Sequence, residues 1–359
     1  MRARVVSRVG NTGERREEED RVKAVRLHEL DGPDGLHYED VPDPEPGDGE
    51  IVVKLHNAAL NRRDVFATQG MYPGVTPDIL PGIPGSDGSG EVYAKGDGAE
   101  GPDEGTEVVL NPALYWGDNP RIPGKDYRIL GLPDDGTYAQ LIKVPADHVF
   151  PKPAHLSHEE AAAIPLGALT AYRALVTRGQ LQEGETVFVP GVGGGVATFV
   201  VQMASAMGAT VFVSSGNDEK IEQAKEFGAE GGVNYNSEDW SKELKEMSGS
   251  VDLSVDSIGG DTFNALIQLA KSGGRIVVFG ATAGPAQKVM TIMIALKHLD
   301  VFGTAMGNAD EFGAMLEFYE KHELKPVINE TFPLEEATAA MEYMEEGEGI
   351  GKIVLEIPT

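Results

Sequence analysis

The sequence predicts an α/β protein built from a β-rich part and a doubly wound parallel sheet. Two observations predict this class. Short β-rich runs separated by Gly, Pro and Asp fill residues 22–147, which is typical of an irregular β-domain with many turns. Short apolar strands then alternate with helix-length amphipathic segments over residues 157–304, which is typical of a parallel sheet covered by helices on both faces. At 359 residues, the chain is long enough for two domains of ordinary size.

The first part begins after a charged N-terminal segment. Residues 1–22 carry no hydrophobic period and include ERREEED, so we expect a mobile tail. The opening residues lack the apolar core of a secretory signal, and no apolar run approaches the ~20 residues that cross a bilayer. We therefore expect a cytoplasmic protein. The strands expected after the tail are VKAVRL, EIVVKLHNAAL, GSGEVYA, TEVVLNP and TYAQLIKVP.

The second part alternates strands and helices. Its expected strands are TVFVP, ATVFVSS, GGVNY, VDLSVD, RIVVFG and LDVFGT. Its expected helices are GGGVATFVVQMASAMG, DEKIEQAKEFG, DWSKELKEM and DTFNALIQLAKSG. Two helical stretches and the strands KPVINETF and GKIVLEI follow Thr304, and we place them back on the first part. The predicted division is a tail at 1–22, one domain at 23–160 with 305–359, and a second domain at 161–304.

The composition limits the classes of function. With 30 basic and 58 acidic residues, the net charge is −28, so the surface should repel nucleic acids and anionic membranes. Acidic residues spread along the whole chain suit a protein in concentrated salt, which screens their mutual repulsion. We expect a halophilic source; an ordinary acidic cytosolic protein is the alternative. The chain has no cysteine, which excludes disulfides, thiolate zinc ligands and cysteine nucleophiles.

A glycine-rich turn follows the first strand of the second part. In a strand–turn–helix context this pattern predicts a dinucleotide site, in which the pyrophosphate meets the N-terminus of the helix. Gly191 permits the tight turn and Gly193 lets the backbone approach the phosphates. Val196 departs from the glycine or alanine usual at the third position. A glycine-rich turn without a ligand is the alternative. The predicted turn consists of Gly191, Val192, Gly193, Gly194, Gly195 and Val196.

The end of the next strand indicates which dinucleotide binds. NAD-binding units place an acidic residue there for the ribose 2′-hydroxyl, whereas this chain has Ser215 and Gly216. The small neutral Ser215 leaves room for a 2′-phosphate, and Lys220 can supply a cation beside Tyr235. We therefore predict NADP(H) rather than NAD. Alternatively, Lys220 is a solvated helix residue and Tyr235 an aromatic residue at a strand end.

Four further segments carry a family resemblance. They are NAALNRRDVFATQGMYPG, PGIPGSDGSGEV, RILGLPDDGTYAQLIKVP and AAAIPLGALTAYRAL. In this order, with the glycine-rich turn, the chain resembles the medium-chain dehydrogenase/reductase superfamily from residue 22 to 359. The resemblance implies a GroES-like catalytic domain completed by the C-terminal segment, a Rossmann cofactor domain, and an active site between them. It also implies a homodimer that pairs through the edge of the cofactor-domain sheet.

The zinc ligands of the family are missing. Zinc alcohol dehydrogenases of this superfamily carry cysteine, histidine and cysteine where this chain has Asn61, Ser86 and Leu166. None of these supplies a thiolate or imidazole, and a catalytic zinc needs about three protein ligands. The lobe of the structural zinc corresponds to residues 111–131, which contain no cysteine. We predict no metal; a weak site built on Asp64 and Asp87 is the alternative.

The same positions are similar to the zinc-free quinone oxidoreductases. Those enzymes have asparagine where Asn61 stands, aspartate where Asp64 stands and a tyrosine–proline pair where Tyr72 and Pro73 stand. Their NADPH 2′-phosphate is held by a lysine and a tyrosine spaced as Lys220 and Tyr235 are here. The resemblance therefore implies a zinc-independent, NADPH-dependent oxidoreductase.

A mechanism follows from the missing metal. Without a Lewis acid, the favoured acceptors are quinones and α,β-unsaturated carbonyls, because they delocalise the incoming charge themselves. Asn61 and Tyr72 are expected to line the pocket, with Tyr72 hydrogen-bonding the carbonyl or relaying a proton, or only packing its turn. Asp64 is expected to order the loop rather than to react. The alternatives are an alcohol dehydrogenase with a carboxylate-bound metal and a nucleotide-binding protein with little catalysis. The residues expected around the nicotinamide are Thr170, Phe279, Gly280, Met306 and Gly307.

Overall fold

The computed structural model describes residues 21–358, and its N-terminal half is rich in strands. These short segments carry β-branched residues, and glycine, proline and aspartate separate them. In chain order they are β1 (Arg21–Leu27), β2 (Leu36–Pro42), β3 (Glu50–Ala59), β4 (Asp87–Lys95), β5 (Glu107–Leu110), β6 (Ala113–Leu114), β7 (Arg128–Ile129), β8 (Leu141–Pro145) and β9 (Val149–Pro151).

A six-stranded parallel sheet follows, and its sheet order is β12-β11-β10-β13-β14-β15. This confirms the predicted doubly wound sheet. The order reverses between β10 and β13, and the crevice at such a reversal is where open α/β sheets bind ligands. The strands are β10 (Thr186–Val189), β11 (Thr210–Ser215), β12 (Gly231–Asn234), β13 (Val251–Asp256), β14 (Ala270–Val278) and β15 (Asp300–Gly303).

The last two strands, β16 (Ile328–Pro333) and β17 (Lys352–Glu356), join the N-terminal sheet. The order there is β16-β17-β3-β4-β5-β9, and β8 also pairs with β3. Strand β17 runs parallel to β16 and antiparallel to β3, with Val354 opposite Ala59. The chain therefore returns to its first sheet after completing the second. The exact domain limits stay a prediction.

Ten α-helices connect the described strands. They are α1 (Arg62–Thr68), α2 (His158–Ala163), α3 (Pro165–Tyr172), α4 (Gly195–Ala206), α5 (Asp218–Glu226), α6 (Trp240–Ser248), α7 (Thr262–Leu269), α8 (Thr291–Lys297), α9 (Ala309–His322) and α10 (Ala337–Glu346). None of the helices between residues 21 and 358 is long and apolar enough to span a membrane.

Two sequence expectations, one helix end and the limit of the tail, need correction. The predicted helix DTFNALIQLAKSG stops at Leu269, because Ala270 already belongs to β14 and pairs with Val251. The segment AAAIPLGALTAYRAL forms two helices, because α2 ends at Ala163 and Pro165, which has no backbone N–H, begins α3. The predicted tail is too long by two residues, because Arg21 and Val22 pair with β2 in strand β1. Residues 1–20 lie outside the described part.

The two sheets each have an apolar core. Phe199 of α4 and Leu253 of β13 are buried in the larger cluster, against the parallel sheet. Leu55 of β3 and Leu355 of β17 are buried in the cluster of the first sheet. The C-terminal strand is thus part of the first core, and this position brings its first residue, Lys352, beside both the loop after β3 and the glycine-rich turn.

Candidate active site

The N-terminus of α1 holds two of the predicted residues, with Asn61 just before the helix and Asp64 in its first turn. Asp64 is fully buried, and its Oδ2 accepts hydrogen bonds from the backbone N–H of Asn61 at 2.8 Å and from the Tyr138 hydroxyl at 3.3 Å. Its Oδ1 lies 3.5 Å from Arg63 Nη1. Burial raises the pKa of Asp64 to about 6, against the opposing effect of Arg63. The carboxyl group therefore orders the first turn of α1 and positions Asn61.

A buried cluster of charged and polar groups surrounds Asp87, the first residue of β4. Lys352 Nζ lies 2.9 Å from Asp87 Oδ2, and the side chains of Lys352 and Asp87 are 3% and 0% exposed. Asn61 Nδ2 donates to the same oxygen at 2.9 Å. The backbone N–H of Leu166 donates to Asp87 Oδ1 at 2.8 Å. Both carboxylate oxygens are thus satisfied by protein donors.

Arg63 occupies the neighbouring position. Its Nη1 donates to Ser86 Oγ at 2.7 Å and to the carbonyl oxygens of Leu130 and Gly131 at 2.8 and 2.9 Å. Ser86 Oγ in turn donates to the Leu130 carbonyl at 2.7 Å. The guanidinium carbon lies 4.4 Å from the centre of the Tyr72 ring, which is the distance of a cation–π contact. Tyr72 is therefore joined to the Asn61 loop through Arg63.

Aromatic packing organises residues 111–131. Trp116 is buried, and its ring meets the Tyr127 ring edge-on at 5.3 Å. The Arg173 guanidinium lies 4.9 Å from the Trp116 ring centre. The indole Nε1 donates to the Asn119 carbonyl at 3.0 Å. This lobe is held by a tryptophan and its neighbours.

The residues predicted beside the nicotinamide form two groups. Thr170 Oγ1 donates to the Leu166 carbonyl at 2.8 Å and lies 3.9 Å from Met306 Sδ. Gly307 is pressed against Leu169, since a Cβ there would come within 2.6 Å of that side chain. Phe279 and Gly280 leave the carboxyl end of β14, next to β15 and the segment that carries Met306. The structure thus brings Thr170, Met306 and Gly307 together and puts Phe279 and Gly280 at the same sheet edge.

The glycine-rich turn has the backbone geometry that the sequence predicts. Gly191 and Gly193 have φ values of 71° and 155°, a region that favours glycine. Gly194 precedes α4, Gly195 begins it, and Val196 packs on the larger core. No heavy atom lies within 4 Å of a Cβ built on Gly194. The turn leaves β10 at the carboxyl edge of the sheet, so it offers an open backbone cradle at a helix N-terminus for a phosphate.

Three of the predicted ribose-phosphate residues, Ser215, Gly216 and Tyr235, meet at the end of β11, whereas Lys220 contacts the glycine-rich turn. The hydroxyl of Tyr235 lies over Gly216, where a Cβ would approach it within 2.7 Å. Ser215 is buried, and its carbonyl accepts from the backbone N–H of Tyr235 at 3.0 Å. Lys220 Nζ lies near Gly193 and donates to the Gly347 carbonyl at 2.6 Å. Burial lowers the pKa of Lys220, and Glu348 opposes this shift. A small residue at 216 and a nearby cation suit a 2′-phosphate.

Sequence reasoning missed two residues of the site. Lys352 stands at the start of an apolar strand, and nothing local in GKIVLEI indicates that it is buried. Arg63 follows another arginine in NRRD, and the sequence does not distinguish the exposed Arg62 from the buried Arg63. Within residues 21–358, no group of three or more His, Cys, Asp or Glu side chains is arranged to hold a metal. A cavity of about 460 Å³ lined by Arg26, Glu50 and Lys143 contains none of the predicted site residues.

Each of the two parts of the chain matches a known protein family. Residues 47–154 match the alcohol dehydrogenase GroES-like domain, and residues 195–321 match the zinc-binding dehydrogenase domain. The zinc-type alcohol dehydrogenase-like protein YogA of Leptosphaeria maculans is 37% identical over 340 residues, which cover 88% of this chain and 93% of that protein. The acryloyl-coenzyme A reductase of Metallosphaera sedula is 30% identical over 331 residues, covering 89% of this chain and 96% of that protein.

Solved structures show the same relationship. A crystal structure of an NAD-dependent alcohol dehydrogenase superposes with a TM-score of 0.88 at 37% sequence identity. The match covers 94% of this chain and 100% of that one. The fold is therefore shared along nearly the whole chain. The chain belongs to the medium-chain dehydrogenase/reductase superfamily and is an oxidoreductase of that family.

Proposed function

We propose that this protein is a zinc-independent, NADPH-dependent reductase that transfers a hydride to a quinone or an α,β-unsaturated carbonyl compound. The observation that carries the proposal is the buried group around Asp87. Its carboxylate accepts from Lys352 and Asn61 through one oxygen and from the Leu166 N–H through the other. Protein hydrogen bonds and a lysine cation thus engage Asn61 and the Leu166 backbone, two of the positions at which the resemblance expects the zinc ligands.

The residues at the zinc-ligand positions do not fit zinc. Asn61 Oδ1 lies 2.8 Å from the Lys352 ammonium, and Ser86 Oγ lies 2.7 Å from the Arg63 guanidinium. Leu166 offers only an apolar side chain. A divalent cation at this position would face two buried cations and would lack the roughly three protein ligands of a catalytic zinc site. The two cations and the neutral ligand positions therefore support a metal-independent reaction.

The acceptor follows from the polar groups that are present. When bound, the reduced nicotinamide supplies the hydride. Addition of the hydride to an electron-poor carbon pushes negative charge onto the acceptor oxygen. A proton from water then completes the reduction, at the oxygen of a quinone or at the α-carbon of an α,β-unsaturated carbonyl compound. In this proposal Asn61 donates a hydrogen bond to the acceptor oxygen. Quinones and enones spread the charge over several atoms, so hydrogen bonds alone can stabilise it. The name of the Metallosphaera sedula relative, acryloyl-coenzyme A reductase, denotes the reduction of another α,β-unsaturated carbonyl compound.

Tyr72 is proposed to contact the acceptor or to relay the proton. Its ring is half-buried beneath the Arg63 guanidinium, which fixes its position. The alternative is that the Tyr72 side chain only packs against its own turn. In that turn the Val75 N–H donates a hydrogen bond to the Tyr72 carbonyl at 3.1 Å. Turnover of a Tyr72→Phe variant separates these roles, because unchanged turnover removes the hydroxyl from the reaction.

We also propose a homodimer that pairs through β15. This strand lies at the edge of the parallel sheet, and its Val301 is 42% exposed. The adjoining helix α8 exposes two large apolar side chains, Ile292 and Leu296, at 64% and 67%. An edge strand with unpaired backbone groups and exposed apolar neighbours suits pairing with a second copy. Sedimentation velocity of the protein in concentrated salt measures the subunit number, and a monomer contradicts this pairing.

The function is tested by oxidation of NADPH and NADH with 9,10-phenanthrenequinone, with and without a chelator. We expect turnover that resists the chelator and prefers NADPH. Since a net charge of −28 produces self-repulsion that salt screens, activity should be highest in concentrated salt, as the proposed halophilic source requires.

Two outcomes contradict the proposal. Loss of activity with chelator, restored by added zinc, supports an alcohol dehydrogenase that binds a metal through carboxylates. Tight NADPH binding without turnover of any quinone, enone or aldehyde supports a nucleotide-binding protein with little catalysis. Metal analysis of the purified protein is the control for the first case.

Lys220→Ala should weaken the preference for NADPH. Loss of one charge-assisted hydrogen bond to a phosphate raises the KM for NADPH by about 10- to 100-fold, while the KM for NADH changes little. Lys225→Ala is the matched control, because Lys225 lies on the same helix and pairs with Glu222 at 2.6 Å. Equal effects of the two substitutions, or an unchanged NADPH preference in Lys220→Ala, contradict the assignment of Lys220 to the 2′-phosphate.

Asp64→Asn should become stabilising as the pH rises. The folded-state pKa of Asp64 is about 6, above its ordinary value of 3.8, so the stability that the protonated carboxyl contributes is full below 3.8 and is lost as the pH passes 6. The whole shift corresponds to about 3 kcal/mol of unfolding free energy. About half of this loss of unfolding free energy occurs between pH 5 and 7.5. The whole of this pH range lies above the pI of about 4.6.

Urea unfolding of wild type and Asp64→Asn across this range measures the difference. The exposed Asp118→Asn is the control and should show no such pH dependence. A constant difference between Asp64→Asn and wild type across the range contradicts a raised pKa for Asp64.

A further inference from the structure

We infer that Lys352 is a positioning residue that fixes the side-chain amide of Asn61, so that its N–H rather than its C=O faces the acceptor oxygen. The inference rests on the proposed reduction of a carbonyl acceptor. It names Lys352 as the group that decides whether a hydrogen-bond donor or an acceptor of Asn61 faces the substrate. Neither residue needs to bind a metal or to change its protonation for this role.

The Lys352 ammonium has no freedom to turn away from Asn61. The side chain is 3% exposed. Its Nζ donates to the Leu60 carbonyl at 2.7 Å, to Asn61 Oδ1 at 2.8 Å and to Asp87 Oδ2 at 2.9 Å. An ammonium group has three N–H donors, and each has an acceptor here. The group is therefore held in one orientation at the end of β17.

The chemistry of the partners decides which way the Asn61 amide points. An ammonium group only donates hydrogen bonds, so the atom of Asn61 that faces Lys352 must be Oδ1. A carboxylate only accepts, so the atom that faces Asp87 must be Nδ2, at 2.9 Å. Rotating the amide by half a turn would bring Nδ2 against the Lys352 ammonium, donor against donor. It would also bring Oδ1 against the Asp87 carboxylate, acceptor against acceptor. The pair of charges thus fixes the amide in one of its two orientations.

The fixed amide keeps one donor for a substrate. Nδ2 carries two N–H groups, and only one of them has a hydrogen-bond partner in the part of the chain that the structure describes. Asn61 is 8% exposed, so this donor acts where water is scarce. A preorganised N–H of this kind stabilises the oxygen of a carbonyl acceptor as it gains negative charge.

The same lysine touches the glycine-rich turn. A Cβ on Gly195 would lie 2.8 Å from Lys352 Cδ, and the N–H of the preceding Gly351 donates to the Gly193 carbonyl at 3.1 Å. The lysine stem therefore requires a glycine at 195. The Asn61 amide is consequently fixed relative to the turn that we propose for the pyrophosphate, and not only relative to its own loop.

Three variants test the inference. Asn61→Leu removes the donor and sets the size of the full effect. Lys352→Met keeps an unbranched apolar stem but removes the ammonium group that holds Asn61 Oδ1. We expect Lys352→Met to lower kcat for phenanthrenequinone by about 100-fold, the effect of losing one preorganised donor, with the KM for NADPH within about twofold of wild type. Asn61→Leu should lose at least as much.

The double variant Lys352→Met/Asp87→Asn separates positioning from mere charge balance. It removes both buried charges, so it leaves no unpaired carboxylate and should melt near the wild-type temperature. The oxygen of the new amide at position 87 must face the Leu166 N–H, so its nitrogen faces Asn61 and favours the opposite orientation of the Asn61 amide. We therefore expect kcat to stay about 100-fold low in a well-folded protein. Recovery of kcat in the double variant overturns the inference.

A spectroscopic measurement gives a readout besides activity. The enal 4-(dimethylamino)cinnamaldehyde absorbs at longer wavelength when its carbonyl oxygen accepts a strong hydrogen bond. Bound to wild type with NADP⁺, its band should shift to longer wavelength, and both Asn61→Leu and the double variant should lose the shift. A wild-type shift retained in the double variant overturns the inference, whereas a wild type that reduces no quinone or enone overturns the proposed function instead.

Discussion

The buried ion pair between Lys352 and Asp87 is the contact on which the site depends. Removing two charges from water costs several kcal/mol for each ion, and the cost is offset only when the geometry is good and every remaining donor is satisfied. Here the ammonium uses all three donors, and both carboxylate oxygens accept hydrogen bonds. Breaking such a pair by removing one partner costs about 3–5 kcal/mol. The pair therefore constrains both the fold and the site.

Four separate segments meet at this pair. Lys352 opens β17, Asp87 opens β4, Asn61 precedes α1, and Leu166 lies in α3. The ion pair holds the C-terminal strand, the loop after β3 and helix α3, the last α-helix before the parallel sheet, at fixed distances from one another. Arg63 extends the group, because it binds Ser86 beside Asp87 and packs on Tyr72. A set of buried hydrogen bonds thus links the residues that the proposed reaction needs.

Much of the fold could be predicted from local patterns. The six strands of the parallel sheet are short apolar runs between amphipathic segments, and each forms where its run lies. The glycine-rich turn is also local, and Gly191 and Gly193 adopt the positive φ values that such a turn needs. The helix end at Leu269 was missed because pairing of Ala270 with β13 outweighs the helical pattern of the sequence.

The site could be predicted only in its local pieces. Asn61 and Asp64 are three residues apart, so their hydrogen bond at the start of α1 follows from the spacing. Lys352 could not be predicted, because it lies 292 positions from the Leu60 carbonyl that it binds. A lysine at the start of an apolar strand ordinarily indicates a solvent-exposed end. Only the pairing of β17 with β3 shows that this lysine is buried and that Gly195 leaves space for its stem.

The return of β17 to the first sheet also sets an order of folding during synthesis. The parallel sheet is continuous in sequence from Thr186 to Gly303, so it can form as soon as those residues leave the ribosome. Strand β3 emerges much earlier but waits for β17 as its neighbour, and pairing over so long a separation is slow. Until then the backbone of residues 57–59 is exposed at one edge of β3, while β8 covers residues 50–54 of the same edge. This short edge of the N-terminal sheet is therefore protected from pairing with other chains only after the end of the chain has been made.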